Sequence, residues 1–207
     1  MHISDGALSP AVLIGCSAIT AFGCWLGIRR LEHERLMTTA VVSSVFFVAA
    51  LIHMPVGPSS VHMLMNGLAG VVLGWAAFPC ILVAMFLQSI LFQFGGLTVL
   101  GVNTLTVAGP AVAAHYLLRG RFSGSPRSNA VVGFLGGALS VLGTALCVVA
   151  VLTLTDAGFL QTSKLVVLTH MPLMVVEGLI TMFVVGYLAK ARPELLHGAF
   201  TPGAKGD

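Results

Sequence analysis

The chain has 207 residues, of which 57% are hydrophobic and 8% charged, with a formal net charge of +3 and a mean hydropathy of +1.00. A water-soluble domain carries about a quarter charged residues, so the solvent for most of this surface is lipid. The small positive excess makes no electrostatic case for nucleic-acid binding and reads instead as a set of topology signals.

The first residues are Met1-His2-Ile3-Ser4-Asp5-Gly6, and no basic residue precedes Arg29. A secretory signal needs a positive segment ahead of its apolar core, so none is expected here, and bulky His2 should protect Met1 from trimming. The Met1 α-amine, the His2 amide and the His2 imidazole can close two fused chelate rings around one ion. A fourth nitrogen would complete a planar set, which points to Ni(II), Cu(II) or a related divalent ion. His62, in Pro58-Ser59-Ser60-Val61-His62, is the best candidate for it. His2 alone would be uninformative, and its weight comes from what surrounds it.

Hydrophobic runs bounded by charge, Pro or Gly predict seven helices, near 9–28, 38–54, 62–78, 79–95, 98–118, 129–153 and 164–190, each close to the ~20 residues that cross a bilayer. The second and third are short enough to be tilted or partly re-entrant. Arg29, Arg30 and Arg35 follow the first span, Arg119, Arg121 and Arg127 the fifth, and Lys190, Arg192 and Lys205 the seventh. With the N-terminus outside, every basic residue except Lys164 then faces the cytoplasm, as the positive-inside rule asks. The expected fold is therefore all-α: one polytopic domain over 1–207, with an external segment 1–8 and a cytoplasmic tail 191–207. His2 and His62 fall on the same outer face.

Within the spans, Gly67, Gly70 and Gly74, and Gly133, Gly136 and Gly137, repeat at intervals that let helix backbones approach closely. Cys16, Cys24, Cys80 and Cys147 form no CxxC pair and read as small buried hydrophobes. The stretch from Gln88 to Asn103 is polar and Gly-rich at membrane depth, which is tolerated only in contact with protein or a cavity. Gln93 and Asn103 are expected to hydrogen-bond back to metal ligands, or else to satisfy a helix–turn–helix. Glu177 is an acid inside the last span, a place where carboxylates are paired or functional. It reads as a partner for a backbone or side-chain donor, a coupling element, or part of an ion path. His170 precedes it near the outer interface. His53 is a reserve ligand, while His33, His115 and His197 are expected to be cytoplasmic and solvated. There is no P-loop, HExxH or GxSxG, so ATP-driven work would need another subunit.

Taken together, Met1–Pro10, Gly57–His62, Gly95–Asn103 and His170-Met171-Pro172-Leu173 leading to Glu177-Gly178 resemble the CbiM/NikM family. These are the substrate-capture (S) components of energy-coupling-factor transporters for cobalt and nickel. The resemblance implies seven helices, an exterior N-terminus threaded into the protein, and metal held by the Met1 amine, the His2 nitrogens and His62. Ser60, Gln93, Asn103, His170 and Glu177 would support these ligands. It implies a transported Co2+ or Ni2+, with no permanently bound cofactor. It also implies a transmembrane T component, a pair of ABC ATPases and a small accessory membrane subunit as partners in the lipid bilayer, the accessory subunit being unfused in a sequence that ends at Asp207. The family commonly has Ser-His-Pro-Thr-Gly around its histidine, whereas this chain has Val61-His62-Met63-Leu64-Met65. A thioether contact from Met63 or Met65 is therefore open, and cobalt is favoured only narrowly over nickel.

Two readings from other classes compete. An intramembrane enzyme could use Glu177 and His170, although no nucleophile stands beside them. A vitamin-capture subunit would want more aromatic stacking surface than two Trp, two Tyr and twelve Phe provide.

Overall fold

The structure, a computed structural model, describes residues 3–56, 59–121, 126–156, 158 and 160–196. Of the expected site residues, Met1, His2 and the Ser60 side chain fall outside this description, as does the tail histidine His197.

Among the described residues seven α-helices follow in chain order: α1 (Pro10–Arg29), α2 (Leu36–Ala49), α3 (Asn66–Leu73), α4 (Ala77–Phe92), α5 (Leu100–Leu118), α6 (Pro126–Thr155) and α7 (Leu160–Ala191). Pro10 opens α1, where its missing N–H would be unpaired in any case. Two expectations need correction. The second span was expected to run to residue 54, but α2 stops at Ala49, and β1 (His53–Val56) pairs antiparallel with β2 (Ser59–His62) as the two arms of a hairpin. Pro55 favours this outcome, because it disfavours helix for the residue before it and is tolerated on an edge strand. The third span was expected over 62–78, but α3 occupies only Asn66–Leu73. It is entered through Met65 at φ +50° and left through Gly74 at φ +55° and ψ −124°, a conformation that requires glycine.

Among the described residues four apolar helical stretches are long enough to cross a membrane: 10–29, 66–92, 127–155 and 164–191. The second is continuous in composition but broken at Gly74 into α3 and α4, which run in opposite directions. Trp75, in the turn, sits 6.3 Å from Tyr116 at the C-terminus of α5, whereas Phe94, just past α4, packs on His53 and His62.

All eight residues of α3 are buried. Such a short helix is held because α5 and α6 come very close: a methyl group at Gly67 would strike the backbone of Gly137, and one at Gly70 the backbone of Ala111. Polarity is inverted relative to a soluble bundle. Met37, Leu154 and Phe183 point outward at 79%, 74% and 70% exposure, while Asn66, Gln88, Thr104, Ser140, Thr144, Glu177 and Thr181 are fully enclosed. In lipid the polar groups must be satisfied internally, so this is the expected sorting.

Candidate metal site

The N-terminal segment is fastened from Ile3 onward. Asn103, one turn into α5, accepts the Ile3 N–H on Oδ1 at 3.0 Å and donates from Nδ2 to the Ile3 carbonyl at 3.1 Å. Both halves of one amide thus pair with both backbone groups of the residue that follows His2. Ile3 and Leu8 are buried in a cluster with Val99 just before α5, Val102 of α5, Val148 of α6 and Val166 of α7. Thr98 donates its hydroxyl hydrogen to the Asp5 carboxylate, and a side chain at Gly96 would overlap that carboxylate.

The second half of the site comes from the hairpin and the strand-like link into α3. Glu177 accepts the Leu64 N–H at 2.5 Å and the Met65 N–H at 2.9 Å. These are two backbone groups that the break before α3 leaves without helical partners. Strand β2, which ends at His62, packs against α7, the helix that carries His170 and Glu177.

Each ring is pinned in one tautomer. His62 Nδ1 lies 3.2 Å from the Met63 carbonyl, and His170 Nδ1 lies 2.7 Å from the Val166 carbonyl. A carbonyl only accepts, so Nδ1 carries the proton in both and Nε2 carries the lone pair, the arrangement that orients a histidine for metal. Among the described residues the buried His170 Nε2 has no hydrogen-bond partner. Burial holds the His62 imidazole below the usual histidine value, outweighing the opposite pull of its bond to the Met63 carbonyl. Phe94 lies parallel to the His62 ring at 6.5 Å.

Other expected residues fall elsewhere. Gln93 is exposed at the left-handed end of α4 (φ +56°), and its side chain makes no hydrogen bond among the described residues. Met63 and Met65 line an apolar cleft against α2. His115 is buried rather than solvated, donating from Nδ1 to the Gly70 carbonyl at 2.9 Å. The four cysteines are free, with Cys24 and Cys80 buried and Cys16 and Cys147 half-buried. Two residues that organise the site were missed. One is Phe94, whose only signal was an aromatic beside Gly95-Gly96. The other is Asn66, which donates to the Val107 carbonyl at 3.1 Å and to Thr144 Oγ1 at 2.9 Å. Among the described residues no three His, Cys, Asp or Glu side chains gather as a metal site.

The family model for the cobalt uptake substrate-specific transmembrane region, CbiM, matches residues 2–195. The chain belongs to the CbiM family. A Haemophilus influenzae protein named for metal transport is 41% identical over 201 residues, covering 95% of this chain and 97% of the relative. The cobalt transport protein CbiM of Kyrpidia tusciae is 30% identical over 96% of this chain and 87% of its own length. A crystal structure of a transition metal transporter superposes with a TM-score of 0.72 at 25% identity, covering both chains completely. As a CbiM-family member the chain is a multi-pass membrane component for cobalt or nickel uptake and not an enzyme.

Proposed function

We propose that this chain captures Co2+, with Ni2+ a close second, through the Met1 α-amine, the deprotonated His2 amide, the His2 imidazole and Nε2 of His62. The observation that carries this reading is the double clamp. Asn103, at the start of α5, holds Ile3, and Glu177, midway along α7, holds the link from His62. His170 and Ser60 stand in support, whereas exposed Gln93 has no evident part in it. Among the relatives, a Rhodobacter capsulatus protein is a fused nickel transport protein, 38% identical over 64% of this chain and 42% of its own length. Relatives thus carry names for either metal. The stability order favours nickel over cobalt, so cobalt preference would have to come from geometry and supply.

Delivery would follow the energy-coupling-factor scheme, with the whole of 1–207 as one capture domain that hands its ion to a transmembrane T component driven by two ABC ATPases, beside a small accessory membrane subunit. The test is a one-residue extension before Met1, which moves the amine out of the chelate. Metal content after growth with both metals supplied should collapse while the helical spectrum is unchanged. A tagged chain that loads normally would rule out the Met1 assignment.

A further inference from the structure

The hairpin places a second imidazole beside the first. In the antiparallel register His53 lies directly opposite His62, and the ring centroids are 6.2 Å apart. His53 is exposed where His62 is buried. The His53 Nδ1 lies 3.0 Å from the Leu51 carbonyl and donates to it, which leaves Nε2 as the ring nitrogen for a metal. Phe94 packs edge-on against His53 at 5.9 Å as well as parallel to His62. A ring that ligates through Nε2 holds its metal about 2.0–2.1 Å away, which puts two rings sharing one ion about 4.5–6.5 Å apart between centroids. The observed separation lies within that range.

We propose that His53 is an outer docking ligand, which takes a hydrated divalent transition-metal ion from solvent and passes it across the strand pair to His62. The ion exchanges one water for the exposed imidazole, then a second for His62, and is stripped in steps rather than at once. The proposal rests on the capture reading only in taking His62 as a resident ligand.

A contact used on the way in but absent from the final set speeds arrival and departure alike, and leaves the equilibrium unchanged. Stopped-flow binding of CoCl2 and NiCl2 to the full chain in nanodiscs should therefore show His53→Asn associating about tenfold more slowly, with dissociation slowed to match and Kd held within about twofold. His53→Asp, which restores a ligand at the same exposed position, should recover the rate. Association unchanged in His53→Asn, affinity lost with no change in association, or His53→Asp as slow as His53→Asn would each overturn the proposal. The resident set fails separately, as tight binding that survives extension of the N-terminus, whereas failure of the docking role shows only in the rates.

Discussion

Asn103 is the side chain on which the N-terminal half of the site depends, because it satisfies two backbone groups that no helix or strand would otherwise pair. Removing it leaves the Ile3 N–H and C=O buried and unmet, at about 1–3 kcal/mol for each group. Asn103→Asp is the sharper probe. It keeps an acceptor for the Ile3 N–H but turns the donor into an oxygen facing the Ile3 carbonyl, and it buries a charge. Supporting residues of metal sites typically contribute ten- to hundredfold in affinity, so Asn103→Asp should weaken Co2+ binding by at least about tenfold with the helical content kept. Equilibrium titration and circular dichroism on one preparation decide it, and wild-type affinity in Asn103→Asp would show that Ile3 is held by packing alone.

At the scale of elements, the link between β2 and α3 is where an intramembrane carboxylate is used for structure. Glu177→Ala leaves the N–H groups of Leu64 and Met65 unpaired, and should lower stability by about 2–5 kcal/mol. Glu177→Gln keeps one oxygen for these donors and should retain roughly half of that. Thermal unfolding in detergent reads both. If Glu177 were instead part of an ion path, Glu177→Gln would abolish uptake while melting like the wild type, and that result would sink the structural assignment. Most helices were legible because long apolar runs bounded by charge leave few alternatives in lipid, and α1, α5, α6 and α7 lie within a few residues of expectation. The hairpin and the short α3 were not, since an unbroken apolar run carries no period by which to tell strand from helix. The site was legible as residue types and only partly as contacts. His62 and Asn103 stood out as polar groups in apolar surroundings, but nothing local could pair Glu177 with an amide 113 positions away or bury His115 beneath Gly70.

For the whole molecule, the two ends differ in charge and in aromatic lining, and this difference bears on orientation. Arg30 donates to the Tyr116 hydroxyl at 2.9 Å and stands 5.9 Å from the Trp75 ring, while Arg29 lies 4.4 Å from Trp25 and Arg119 5.8 Å from Tyr116. Arg35 caps α3 at the Val72 carbonyl and ties down the Leu195 carbonyl, both at 3.1 Å. Arginines on aromatic rings at one level mark a membrane–water interface. The opposite end carries His53, His62, Phe94 and the Asp5–Thr98 contact. If the positive-inside rule sets the orientation, as proposed, the end that carries His62 would lie outside, where scarce ions are met. Gln93→Cys and Arg119→Cys report on this directly, because Gln93 and Arg119 are exposed at opposite ends. An impermeant maleimide added to intact cells should label Gln93→Cys and spare Arg119→Cys until the membrane is opened. The native cysteines lie within helices, buried or half-buried, where lipid and protein shield them, so the wild-type chain is the blank. Labelling of Arg119→Cys in intact cells would invert the orientation. It would then place the capture residues in the cytoplasm, where uptake from outside could not begin with them.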